Sequence, residues 1–153
     1  MNESNLTSKV WKQDQNHPET GPYRIVLPEW ISCAPFERLL GMDIVAAKDG
    51  RAILSMPFRY EFAQGAGLMH GGALVSLADT AVVMAIKSMV PKNTHFATIR
   101  LESEFLHPVR QGIVTAKAVS YVKKRSFFKV VIEILEEHDP EEMDIAVEAL
   151  MRN

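Results

Sequence analysis

The residue that least fits its surroundings is an aspartate. Asp79 is the only formally charged side chain between Glu61 and Lys87, and Leu77, Ala78, Ala81 and Val82 flank it. A buried carboxylate is costly unless it is paired, hydrogen-bonded or neutralised. Helical spacing offers no cation, because Val75, Ser76, Val82 and Val83 occupy the positions three and four residues away. Two readings are balanced on the helix pattern alone. Asp79 is retained for use, or it faces a wet crevice or hydrogen-bonds a neighbouring strand.

The segment Met69-His70-Gly71-Gly72 just before it adds a second chemical feature. It sets two glycines at the start of a helix, where backbone N–H groups lack intrahelical partners. With no Cβ in the way, a ligand can approach those amides closely, and the helix dipole favours negative charge there. Such donors form oxyanion holes. The plainer reading, slightly favoured on these residues alone, is that the glycines let the loop turn and the helix pack tightly.

These residues need elements to hold them. Residues 1–28 carry Pro18, Pro22 and Pro28 and no sustained period, which predicts a loosely held N-terminal extension ahead of a single domain over 29–153. Glu29–Leu40 predicts one or two helical turns interrupted at Pro35 and ended by Gly41. Strands are expected near Met42–Ala47 and Arg51–Met56, joined by the hairpin signal Asp49-Gly50. An irregular loop over 58–70 leads into one long helix over 71–89, and Pro91 marks its end. His95–Leu106 alternates, with Ala97, Ile99, Leu101 and Phe105 expected on one face and Thr98, Arg100, Glu102 and Glu104 on the other. Gly112–Lys123, Phe127–Glu136 and Met143–Met151 complete the strands. Consecutive strands on short connections imply an antiparallel sheet, hence α+β. The helix is apolar nearly all round and must be covered on most sides, which a sheet curling around it provides.

Composition narrows the function classes. The 153 residues suit one domain. Seventeen Lys and Arg against nineteen Asp and Glu argue against a nucleic-acid binder. Cys33 is the only cysteine, so no internal disulfide framework exists, and a small apolar role suits it better than nucleophilic work. His17, His70, His95, His107 and His138 lack ligand spacing, so no metal site is expected. Ser76 lacks a G-x-S-x-G elbow. The polar first twenty residues show no targeting segment, and the longest apolar run, Gly71 to Ile86, is broken by Asp79 and shorter than the roughly 20 residues a bilayer needs. The expected setting is cytoplasmic, with no membrane partner.

The stretch HGGALVSLADTA, with Asp79 nine residues after His70, resembles the hotdog-fold acyl-CoA thioesterases, nearest their phenylacetate-pathway (PaaI-type) branch. The likeness runs from about residue 36 to 151 and includes Phe105-Leu106-His107-Pro108 with Gly112 downstream. It implies an antiparallel sheet wrapped around one long central helix, acyl-CoA as substrate, hydrolysis that needs no metal and no cofactor, and self-association as a dimer or a dimer of dimers. By the same resemblance Asp79 is the catalytic acid residue, as nucleophile or general base. The Gly71 N–H polarises the thioester carbonyl, Gln64 positions the thioester or the water, Thr98 holds the attacking water, and His70 is supportive. Gln64 departs from the branch pattern, which has Asn there, while Gln resembles a 4-hydroxybenzoyl-CoA thioesterase branch that uses Glu as its acid. The substrate subclass stays open on that account.

Further substrate contacts are expected from Gly72, from an acyl pocket near Phe62, Met69 and Val83, and from the basic run Lys123-Lys124-Arg125, which is either a meeting point for coenzyme A phosphates or a solvated hairpin tip. Gly71 and Asp79 lie eight residues apart, about 12 Å along a helix, too far for one copy to bring both within about 3–3.5 Å of a single thioester. Granting both roles, the site spans a two-fold interface, with Gly71 and Gln64 from one subunit and Asp79 and Thr98 from the other. Two other readings compete: a non-catalytic acyl-CoA-binding module on the same fold, and a hotdog hydratase or dehydratase, whose H-F-P-G type motif is absent.

Overall fold

A computed structural model describes residues 21–123, 127–136 and 147–152, the stretch from residue 121 onward by its backbone alone. Its order is α1 (Pro35–Leu39), β1 (Asp43–Lys48), β2 (Arg51–Pro57), α2 (Gly71–Lys87), β3 (Ala97–Ser103), β4 (Ile113–Lys123), β5 (Phe127–Glu136) and β6 (Val147–Arg152), with a single 3-10 turn at Tyr60–Phe62 before α2. The strands pair antiparallel in the orders β1-β2-β4-β5 and β3-β6, and β5 runs beside β6. This is the α+β arrangement of a hotdog fold, an antiparallel sheet against one long helix.

The sheet face toward α2 is built from alternation. In β2, Ala52, Leu54 and Met56 are buried, and they pair in register with Ala118, Ala116 and Val114 of β4. Alanines on that face let the helix approach closely. From α2 come Leu74, Leu77, Ala78, Ala81, Val82, Met84, Ala85 and Ile86, all buried. Burying a leucine or isoleucine side chain stabilises by about 1.5–3 kcal/mol, so this seam dominates the fold. One stripe of α2 escapes it. Gly72, Ser76, Asp79, Val83 and Lys87 follow the helical repeat and remain partly or fully exposed.

Local chemistry sets the boundaries. Asp49 and Gly50 both take positive φ (51° and 76°), the backbone a two-residue primed hairpin turn requires, and Lys48 pairs with Arg51 across it. The Ser88 hydroxyl donates to the Ala85 carbonyl and accepts from the Gly50 N–H, tying the hairpin to the end of α2. The helix therefore stops at Lys87, two residues before the expected end. Upstream, the Trp30 indole N–H donates to the Lys87 carbonyl, and the Lys87 ammonium sits 4.9 Å from the Trp30 ring centre.

Two expectations need correction. No helix forms over residues 29–34: α1 starts at Pro35, which lacks an N–H and drives Ala34 to an extended ψ of 177°. The face assignment in β3 holds from Arg100 onward but fails before it. A register shift between Thr98 and Arg100 leaves Ile99 as an extra residue, so Thr98 and Leu101 both lie half-buried while Ile99 is 55% exposed. A plain alternation would have put Ile99 inward and Thr98 outward. Residues 1–20, most of the expected N-terminal extension, and 143–146, the expected start of β6, lie outside the described residues.

Leu77 is fully buried in the seam, whereas Leu39 is 71% exposed. Leu77→Ala is expected to lower unfolding free energy by about 2–5 kcal/mol and Leu39→Ala by under about 0.5, read from urea denaturation midpoints.

Candidate active site

The loop before α2 is short and tied down at several points. The His70 N–H donates to the Phe62 carbonyl (2.7 Å), the Met69 N–H to the Val109 carbonyl (3.0 Å), and the Gln64 N–H to the Leu68 carbonyl (2.8 Å). Ala63 and Met69 form an antiparallel bridge. The Gln64 side chain closes the loop tip, its Oε1 accepting from the Ala66 N–H. That engages the amide oxygen and leaves the NH₂ group of the half-buried Gln64 as its remaining donor.

At the helix start, three of the four amides that lack ordinary helical partners are satisfied. His70 is the N-cap residue, and its own N–H is the one taken by Phe62. Its Nδ1 accepts from the Gly72 N–H at 2.9 Å, and its carbonyl accepts from the Ala73 N–H. An accepting Nδ1 requires the neutral ring with its proton on Nε2. The Gly71 N–H has no partner among the described residues. A single unsatisfied donor thus remains at the positive end of a 17-residue helix, the arrangement that binds an anion or a developing oxyanion.

The glycines have separate reasons. A Cβ on Gly72 would lie 2.9 Å from His70 Nδ1, inside contact distance, so glycine preserves the cap. A Cβ on Gly71 would meet the ring of Phe105 at 3.1 Å. Phe105 follows β3 and stands half-exposed over the helix start. In the sequence it figures as the last apolar-face residue of the 95–106 alternation and as the first residue of the Phe105-Leu106-His107-Pro108 stretch that leads into a turn. The turn itself closes at Gly112, whose φ is +84° and whose carbonyl accepts from the Phe58 N–H at 2.9 Å.

Asp79 lies on the open stripe of α2, half-buried, and its Oδ1 accepts from the Thr98 hydroxyl at 2.7 Å. The hydrogen bond from a neighbouring strand is therefore present, and the bulge at Ile99 helps bring Thr98 inward to make it. One carboxylate oxygen is thereby oriented, and the other is left for further chemistry. Asp79 and Gly71 sit on the same continuous helix, so the eight-residue separation stands.

Other expected contacts fall out differently. Met69 is 5% exposed and packs in the core, because its strand-like bridge turns the side chain inward; as a pocket residue it is corrected to a core residue. Phe62 and Val83 are half-buried against that core. Lys123 ends β4, while Lys124 and Arg125 lie outside the described residues. Partial burial, with the Glu37 and Asp43 carboxylates nearby, pushes the Cys33 thiol above its ordinary range, which keeps it protonated and a poor nucleophile. Cavities of about 440 and 600 Å³ lie along the β1–β2 hairpin and beside residues 24–30, away from Asp79 and Gly71. Among the described residues no cluster of three or more His, Cys, Asp or Glu is placed to hold a metal, and no helix is long and apolar enough to cross a membrane.

Comparison with known proteins gives sequence and fold likenesses. A family model described as Thioesterase superfamily matches residues 66–142. A Halobacterium salinarum chain provisionally named an esterase is 33% identical over 85 residues, 52% of this chain and 56% of its own length. The 1,4-dihydroxy-2-naphthoyl-CoA hydrolase of Listeria monocytogenes is 30% identical over 83 residues, 54% of this chain and 67% of its own. The chain spans about half the length of the first curated relatives it matches. Among solved structures, the Escherichia coli PaaI protein from the phenylacetic acid degradation operon superposes with a TM-score of 0.69 at 24% identity, covering 78% of this chain and 84% of that one.

The cap is a distinct contribution to stability. His70→Ala is expected to lower unfolding free energy by about 1 kcal/mol, measured by urea denaturation. No change would mean that the His70 side chain does not hold the Gly72 amide in solution.

Proposed function

This chain belongs to the thioesterase superfamily, and on that premise we infer that it hydrolyses an acyl-CoA thioester to the free acid and coenzyme A. The observation that carries the reading is the pairing of one unsatisfied amide, Gly71 N–H, with one oriented carboxylate, Asp79. Each matches a distinct need of the reaction. The thioester carbonyl gains negative charge as a nucleophile adds, and Gly71 N–H is placed to donate to that oxygen. Asp79 supplies the negative partner, as a base that takes a proton from the attacking water or as the nucleophile itself. In the first course hydroxide adds to the carbonyl carbon and the tetrahedral intermediate expels the coenzyme A thiolate. In the second, the carboxylate displaces that thiolate to give an acyl anhydride, which water then opens.

The remaining residues take supporting roles. Thr98 holds one Asp79 oxygen so that the other points toward the substrate. His70 satisfies Gly72 and keeps the helix start in shape, leaving Gly71 as the donor. Gln64, whose amide oxygen is already engaged by Ala66, offers its NH₂ to the thioester or to water. Gly72 lets the backbone approach the substrate, and Phe62 and Val83 line its acyl end.

Two copies complete the site in this proposal. Gly71 and Asp79 are about 12 Å apart along α2, so Gly71 and Gln64 of one copy act with Asp79 and Thr98 of the other. Support comes from the surfaces left uncovered in one chain. The stripe Gly72, Ser76, Asp79, Val83 is open. Strand β3, which carries Thr98, pairs only with β6 among the described residues and presents Ile99 outward. An edge strand of that kind is a ready template for a second copy.

Release of free thiol from a panel of acyl-CoAs tests the reading. Asp79→Asn keeps the shape and removes the carboxylate, and kcat is expected to fall at least about 100-fold with the fold retained. Thr98→Val should lower kcat roughly 10-fold, since it loosens Asp79 without removing it. Acyl-CoA binding without turnover by the unaltered chain would instead identify a binding module.

A further inference from the structure

The ring of Phe105 supplies the three heavy atoms nearest to where a Cβ on Gly71 would stand. Its Cζ, Cε1 and Cε2 atoms stand 3.1, 3.2 and 3.6 Å from where a Gly71 Cβ would be. Those ring atoms are thus within about 5 Å of the Gly71 Cα, allowing one carbon–carbon bond length. The ring is 49% exposed, so it is not absorbed into the core. Ring atoms therefore border Gly71, the first residue of α2, while about half of the side chain's surface stays open.

The space in front of the helix start is where a thioester must sit if the proposed function holds, and the role of Phe105 rests on that reading. A carbonyl oxygen accepting from the Gly71 N–H lies about 2.9 Å from the nitrogen. Its carbon then lies roughly 4 Å from the nitrogen, and the two groups on that carbon extend to either side. On the side of the absent Cβ, the substituent runs into the Phe105 ring. An unbranched CH₂ next to the carbonyl can lie against an aromatic ring at ordinary contact distance. A branched carbon at the same point directs a second methyl group into it.

We infer that Phe105 is a specificity-determining residue, its ring walling the acyl side of the Gly71 amide and limiting bulk on the carbon adjacent to the thioester carbonyl. Glycine at 71 serves this directly, because a larger residue would push the ring away and move the wall. The same ring makes Gly71 a place where the backbone is exposed to substrate on one edge and shielded from water on the other.

Butyryl-CoA and isobutyryl-CoA carry the same number of atoms and differ only in branching at that carbon. The unaltered chain is expected to prefer butyryl-CoA in kcat/KM. In Phe105→Ala the preference should shrink by about 10-fold or more, the scale at which a pocket discriminates one methyl group, chiefly through faster turnover of the branched substrate. Phe105→Leu, which keeps most of the apolar mass and secures the result if the alanine variant folds poorly, should give an intermediate ratio. Gel filtration and circular dichroism on each variant check that assembly and fold are retained. An unchanged ratio in active variants overturns the inference, as does an equal rise in KM for both substrates, which would put the ring on the coenzyme A side. No turnover of any acyl-CoA by the unaltered chain removes the thioesterase reading itself; turnover with an unchanged ratio removes only the role of Phe105.

Discussion

Burial of an almost wholly apolar helix is the constraint on which the rest of the molecule depends. Leu77, Ala78, Ala81, Val82, Ala85 and Ile86 have essentially no exposed surface, and only a sheet that curves against α2 can cover so many sides at once. Ala52, Ala116 and Ala118 on the facing strands allow the close approach. With α2 fixed along its length, the two points to which we assign chemistry are fixed too: the first amide at one end and Asp79 about two turns along. Neither sits on the buried faces. The stripe that the sheet leaves open is the one that carries Asp79, so packing and chemistry divide the circumference of one helix between them.

The helix start works by subtraction. Four amides lack ordinary helical partners there, and three are taken up locally: that of His70 by the Phe62 carbonyl, that of Gly72 by the His70 ring, and that of Ala73 by the His70 carbonyl. A single donor is left, aligned with the helix dipole and bordered by an aromatic ring. Because its neighbours are already bonded, no other amide competes to orient the incoming oxygen. The carboxylate is treated likewise: Thr98 engages one oxygen, leaving the other to act. Both groups are prepared before any ligand arrives, which is how preorganised sites avoid reorganisation during reaction. They lie at different points along the helix, so the joint action we propose for them on one thioester calls for a second copy.

Much of this was legible because local chemistry governed it. Asp49-Gly50 dictated a hairpin through backbone angles that few other pairs adopt, and the long apolar run after Gly71 could only be a covered helix. The α+β class followed from strand spacing. The motif residues His70, Gly71, Asp79 and Thr98 stood out by type or by resemblance. The features that stayed hidden depended on three-dimensional register. The bulge at Ile99 leaves no mark in composition, yet it turns Thr98 inward and Ile99 outward while Leu101 keeps its inward face. Met69 sits beside the motif in sequence but points into the core, since a bridge to Ala63 sets its direction. Phe105 is 34 residues from Gly71 in the chain, and no periodic pattern links them. The His70 ring as a cap for Gly72 was hidden too, because histidine is not among the usual capping residues.

The central claim is that one thioester is handled by Gly71 of one copy and Asp79 of another, and subunit complementation tests it most directly. Gly71→Pro removes the amide proton at a helix position that tolerates proline, although its ring atoms must displace Phe105 slightly. Asp79→Ala removes the carboxylate. Each variant alone should be inactive toward acyl-CoA. Verified mixed dimers contain one site with both groups intact and one with neither, so activity should return to roughly half that of the unaltered dimer. Mixed dimers that stay inactive, while unaltered dimers put through the same exchange remain active, would contradict the account and place both groups' work within a single subunit.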